Sequence, residues 1–223
     1  TFVNDLKNEF LLEPTMSRIT TIQLVDAGNN RTYNIPVTDV SVRSFTNYSE
    51  LFLRGKFTPD VSGTISKARL ITHDGKTYFV SDISVDVVGG REYNVEAKVT
   101  VSVSVSATVP PQAGTAYTST IVHDSVAKKL AGQTPPSIDL YRARYMAGTT
   151  TLLLVTLTRD TVNNRAYHLA EYFTSSGSWD KIVVENSTGN AVITVSFEYP
   201  IPVTTSDQAS LTVNVSLPTG VPP

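Results

Sequence analysis

Cysteine is absent from this chain, charge is sparse and no long apolar run occurs. Without thiols there is no disulfide framework, no thiolate metal site and no cysteine nucleophile. Charged residues make up 17 % of the 223, with 18 Lys and Arg against 20 Asp and Glu, for a net charge of −2. That balance lacks the basic surface on which nucleic-acid binding depends, so no nucleic-acid partner is expected. No stretch approaches the roughly 18–20 apolar residues that cross a bilayer as a helix, so no membrane span is expected. The opening residues lack the basic start and apolar core of a secretion signal. Thr1 suits either an excised initiator Met or a cleaved leader, which leaves the compartment open. A chain of this length buries roughly 70 % of its unfolded surface and needs neither metal nor disulfide to hold it.

Catalytic patterns are also missing. There is no Gly-x-Ser-x-Gly elbow, phosphate-binding loop, His-Glu-x-x-His or dinucleotide fingerprint. Of the three histidines, His73 precedes an Asp-Gly turn and His123 precedes a helix start, so Asp74 and Asp124 read as turn and cap residues. His168 and Glu171, three apart on a strand, fall on opposite faces and are not expected to share a metal. Asp26-Ala27-Gly28-Asn29-Asn30 and Asp160-Thr161-Val162-Asn163-Asn164 gather oxygen ligands of the kind calcium takes, but without the acidic spacing of a calcium loop. The expectation is a protein without catalytic residues, cofactor or metal.

What is there is strand. Thr, Val and Ser dominate, a β-branched bias suited to pleated, half-buried surfaces. From Asn94 to Val109 apolar and polar residues alternate without a break, the signature of a strand with one buried face. A strand that long bends between two sheets or lies along a face extended by a neighbour. About a dozen strands are expected: 19–25, 32–42, 64–72, 76–88, the long segment, and in the second half 138–146, 150–158, 165–173, 181–185, 191–199 and 210–217. Asp74-Gly75 is the strongest hairpin signal, because Gly accepts φ > 0.

Two short helices are predicted. Asn4 caps a run from Asp5 to Leu12, with Phe2, Leu6 and Phe10 on one face and Pro14 as its stop. The second runs from Ser125 to Leu130. Pro-rich segments at 110–114 and 134–136 bracket the centre, and mark either a linker between two sandwiches or an insertion in one. The strand-like run 118–122 between them favours one sandwich over residues 15–217, with an arm at 1–14 and a Pro-rich tail at 218–223.

A helix of about ten residues is marginal alone in water, so its apolar face must dock on its own sandwich or on a neighbour. Phe2, Leu6, Phe10 and Leu11, with Pro218 and Pro222 of the tail, are the candidate subunit contacts. Four Asn-x-Ser/Thr sequons, at Asn30, Asn47, Asn186 and Asn214, are candidate glycosylation sites. The lone Trp179, among ten Tyr and eight Phe, is either a sugar-stacking platform or a ring that covers one end of the sandwich.

In outline, a cysteine-free, Thr/Val/Ser-rich β-sandwich of this size with a short N-terminal arm resembles the jelly-roll capsid and vertex proteins of tailless icosahedral viruses, such as the penton-type proteins of archaeal turreted viruses. The resemblance covers the whole chain in architecture and rests on no residue motif, so it carries over no functional residue. It implies an all-β, antiparallel, jelly-roll-like sandwich in a virion shell. Such a chain assembles with itself, as a pentamer for instance, and with other shell proteins through loops and termini. A strand tally above eight departs from that pattern. The alternatives are an extracellular filament or surface-layer subunit joined by donated strands, and a carbohydrate-binding module.

Overall fold

A computed structural model describes residues 1–11, 14–103, 106–109 and 114–215. The chain opens with helix α1 (Phe2–Leu11). Seven strands follow: β1 (Ile19–Asp26), β2 (Arg31–Pro36), β3 (Asp39–Ser44), β4 (Ser49–Phe57), β5 (Gly63–Thr72), β6 (Thr77–Val87) and β7 (Tyr93–Val101). Next come β8 (Ser106–Thr108), β9 (Thr115–Thr118), helix α2 (Thr120–Leu130), β10 (Arg142–Ala147), β11 (Thr150–Thr156) and β12 (Thr158–Asp160). The last four are β13 (Arg165–Tyr172), β14 (Gly177–Glu185), β15 (Ala191–Val203) and β16 (Gln208–Asn214).

The protein is all-β and antiparallel, with sheets packed in a sandwich-like arrangement and two short helices. The sheets run β2-β1-β5-β6, β3-β4-β7, β11-β10-β14-β15-β9 and β12-β13-β16-β8. Backbone pairing therefore divides the described strands into two sets, β1–β7 and β8–β16. The division falls between Val101 and Ser106, ahead of the Pro-rich centre. The buried apolar side chains nevertheless form one continuous cluster through both sets. In the second set the β8–β9 ribbon lies against the β15–β16 ribbon, one strand in each sheet.

Several expected strands need redrawing. The alternating segment that begins at Asn94 bends between two sheets: β7 pairs with β4, whereas β8 pairs with β16. Its alternation continues across the bend, with Val99, Val101, Val103 and Val109 all buried. The run 32–42 is two strands. Val37 donates its N–H to Thr20 on the β1 side, and Thr38 donates to Arg54 on β4, so the chain changes sheets within one residue. At this crossing a Cβ on Gly55 would sit 2.6 Å from the Pro36 carbonyl, an approach only glycine permits. β4, the centre of its sheet, is a strand not among those expected: Leu51, Leu53 and Phe57 point inward and Glu50, Arg54 and Lys56 outward, and Phe52 and Gly55 interrupt that alternation. Thr118–Val122 is not one strand: Ser119 caps α2 by accepting from the Ile121 N–H at 3.4 Å, so Ile121 and Val122 begin a helix. The Asp74-Gly75 hairpin forms as expected, with Gly75 at φ 80°.

Helix α1 spans Phe2 to Leu11, and its first turn is held by Thr1 rather than by Asn4. The Thr1 carbonyl accepts from the Asp5 N–H at 3.0 Å, and its hydroxyl from the Asn4 N–H at 3.4 Å. The expected apolar face is correct, but it points inward. Phe2, Leu6, Phe10 and Leu11 are buried in the core of their own chain, and Phe2 packs on Tyr78 and Phe79 of β6. In this arrangement these four side chains have no surface to offer a neighbouring subunit, and residues 1–11 are a core element rather than a free arm. Pro218 and Pro222 lie outside the described residues.

Polar groups lock the helix in place. Asp5 accepts from Tyr78 Oη at 2.8 Å, Lys76 Nζ at 3.1 Å and Thr15 Oγ1 at 3.0 Å. Burial pushes the Asp5 carboxyl up, but these three bonds outweigh it and leave the group below its usual range. Truncation of wholly buried Phe10 to Ala should cost about 3–5 kcal/mol through lost transfer energy and the cavity left behind. Urea unfolding of Phe10→Ala checks this, and a loss below about 1 kcal/mol would mean that the helix is not anchored as described.

Candidate functional site

The most chemically suggestive side chains, Tyr145 and His168, meet between the sheets of the second set. Tyr145 stands on β10 and His168 on β13 in the facing sheet, with Tyr145 Oη 2.7 Å from His168 Nε2. Tyr145 is wholly enclosed and His168 is 4 % exposed. Around them Phe173 and Trp179 stand edge-on to the Tyr145 ring. His168 Nδ1 and Trp179 Nε1 find no hydrogen-bond partner among the described residues. Burial holds the imidazole down at about 4 and pushes the phenol up, so both groups are neutral near pH 7. A hydroxyl beside an imidazole could serve as nucleophile and base, but this pair is sealed from solvent and reads as a core hydrogen bond. The sequence had placed His168 on a strand, but nothing in the sequence marked Tyr145 as its partner, because the two meet across sheets.

The other expected positions separate widely. His73 is exposed in its hairpin turn. His123 is buried on α2, where its Nδ1 accepts from the Val103 N–H at 3.1 Å and burial lowers its basicity. Trp179 is 4 % exposed, packed on Tyr145, Phe173 and Phe197, so it covers the core and offers no platform to a sugar.

The two Asp/Asn clusters adopt the same turn. In each, the first Asp accepts from the N–H of the Asn three residues on at 3.0 Å and from that Asn's side-chain amide at 2.7 Å. The following Asn takes a left-handed conformation, with φ 50° at Asn30 and 52° at Asn164. The carboxylates are thus engaged by their own turns. Among the described residues no three His, Asp or Glu side chains converge as a metal site would require.

The sequons divide in the same physical terms. Asn30 and Asn47 are exposed in turns, and Asn214 is half-buried in β16. Asn186 is wholly buried and cannot carry a glycan in this fold. Its amide donates to the Ser137 carbonyl at 2.6 Å, while its Oδ1 accepts from the N–H groups of Thr188 and Asn190. It organises the turn before β15.

An apolar opening lies in the first set. β6 and β7 are edge strands: among the described residues β6 pairs only with β5, and β7 only with β4. Between them runs an apolar groove of about 550 Å³. Phe79, Ile83 and Val85 of β6 and Val95, Ala97 and Val99 of β7 form its walls, and Ile22 and Ile65 lie at its floor. Val85 is 49 % exposed at the mouth. Unpaired backbone on both edges and alternate apolar side chains between them suit an extended polypeptide, since strand addition supplies both kinds of contact.

No known protein family matches the chain, and no curated protein or solved structure shows significant similarity to it. No helix among the described residues is long and apolar enough to cross a membrane.

Two outcomes follow. Between the ordinary histidine pKa of about 6.5 and about 4, the unfolded chain binds a proton that folded His168 refuses, so stability should fall as the pH falls through that window. The loss at pH 4 amounts to about 3 kcal/mol from this group, and it is absent above pH 7. Urea titrations across pH 4–7 should show a shallower slope when Tyr145→Phe and His168→Leu are combined. An unchanged slope would assign the acid sensitivity elsewhere. Separately, Asn186→Ala should lower stability by about 1–3 kcal/mol, because it leaves the Ser137 carbonyl and the turn N–H groups unpaired. Thermal unfolding checks this.

Proposed function

We propose that this protein is a non-enzymatic structural subunit that assembles with copies of itself and with other shell proteins into a closed shell, as a capsid or vertex component of a virion. The observation that carries the reading is the open apolar groove between unpaired edges β6 and β7. Monomers that work alone normally cover or blunt such edges, because exposed strands recruit other chains. The groups best suited to chemistry, Tyr145 and His168, are by contrast closed off within the core. Sparse charge and hydroxyl-rich strand faces also suit close approach between subunits.

The same groove supports a second reading, an extracellular filament or surface-layer subunit joined by strand donation. The two differ in symmetry: a shell closes, whereas a head-to-tail contact that does not close makes a fibre.

Immunogold electron microscopy of native material, with antibody raised to the full chain, separates them. Label at discrete vertices of closed particles is the expected result. Label strung along fibres would put the filament reading first, and label on no assembly would overturn both.

A further inference from the structure

We infer that the β7 edge pairs with β7 of a second copy of this chain, antiparallel about a two-fold axis through Ala97, and that this contact closes the mouth of the groove. The inference rests on the assembly reading above and names the surface it uses.

The sequence of β7 carries it. The strand has nine residues, Tyr93 to Val101, and Ala97 is the middle one. Antiparallel pairing of the strand with itself about Ala97 sets Glu96 opposite the second copy's Lys98, and Lys98 opposite its Glu96. Val95 then meets Val99, Asn94 meets Thr100, and Tyr93 meets Val101. Opposite charges face each other on the outer surface and apolar side chains face each other on the inner one, and no like charges are opposed. A two-fold contact requires this self-complementarity, because the same patch serves both partners.

The surroundings agree. The side chains of Glu96 and Lys98 are each 49 % exposed on the outer face, where Arg54 and Glu50 of β4 hold them in opposite-charge pairs that a second copy would extend. Val85 and Val88, 49 % and 55 % exposed, stand on β6 and just beyond its end, where a neighbour at the groove mouth would cover them. The neighbouring edge is built differently. β6 carries Asp82 and Asp86 on its outer face, and self-pairing about Ser84 would oppose the two aspartates. Like charges in that position guard an edge against pairing.

Sedimentation equilibrium of the full chain over a wide concentration range tests the pairing, with Glu96→Lys, Lys98→Glu, the double exchange, and an equimolar mixture of the two single variants. Each single variant creates two like-charge pairs across the axis and should weaken self-association about tenfold or more. The double exchange and the mixture restore opposite charges and should recover association. Recovery in the mixture is the decisive arm, since loss of the in-chain ion pairs could not produce it. Single variants that associate like the wild type would overturn the β7 contact while leaving the assembly reading in place. A wild type that stays monomeric throughout would overturn the contact as well, and the particle labelling described above then decides the assembly reading separately.

Discussion

Phe10 is completely enclosed, and its carbonyl accepts the N–H of Leu140 at 3.0 Å, so the end of α1 is bound to the segment that leads into β10. The start of the same helix is bound to β6 through Phe2 and through Asp5 with Tyr78 and Lys76. Between these ends Glu9 accepts the Met16 N–H at 3.0 Å and faces Lys129 of α2 at 3.7 Å. Ten residues thus touch both strand sets and the central helix. A helix this short has little stability of its own, so its order comes from that burial, and the junction of the two sets depends on it in return.

The second helix completes the junction. Val122, Val126 and Leu130 are buried, His123 accepts the Val103 N–H just past the end of β7, and the Ser125 hydroxyl donates to the Pro136 carbonyl at 2.7 Å. Asp124 is held by Ser44 and Lys128, and these bonds outweigh the burial that would raise its carboxyl. With that much of the core sealed, the first strand set still opens an apolar groove between β6 and β7. At the other ends of the two sheets β2 runs directly into β3 through the crossing at Val37 and Thr38, where Gly55 lets β4 approach β2.

Much of the fold was legible in the residues. The two-residue period of 94–109 marks its buried face correctly even across the bend, because alternation depends on the pleat and not on the identity of the partner strand. The Asp74-Gly75 hairpin and the Asp/Asn turns follow from local conformational preference alone. The apolar face of α1 was equally clear, yet its destination was not: Phe2, Leu6 and Phe10 make the same pattern whether they dock on their own sandwich or on another chain. Central strand β4 was harder to read, because Phe52 on its charged outer face and Gly55 on its inner one blur an alternation that the fold does use. Among candidate site residues, Trp179 and His168 looked alike as isolated polar-tipped rings, and only their enclosure separates a core member from a ligand platform.

Local residue pattern is enough for the class of structure: antiparallel strands, short turns, a short amphipathic helix at each of two places, and side chains sorted into inner and outer faces. These depend on residues near one another along the chain, through pleat, turn geometry and helical period. Long-range packing set which strands are neighbours, the burial of Asn186 and Trp179, the meeting of Tyr145 with His168, and the place of β6 and β7 as edges with a groove between them. Those outcomes require residues tens of positions apart to share space. A strand carries the same alternation at the centre of a sheet's exposed face as at its edge, so nothing in β7 alone reveals that its backbone is left without a partner.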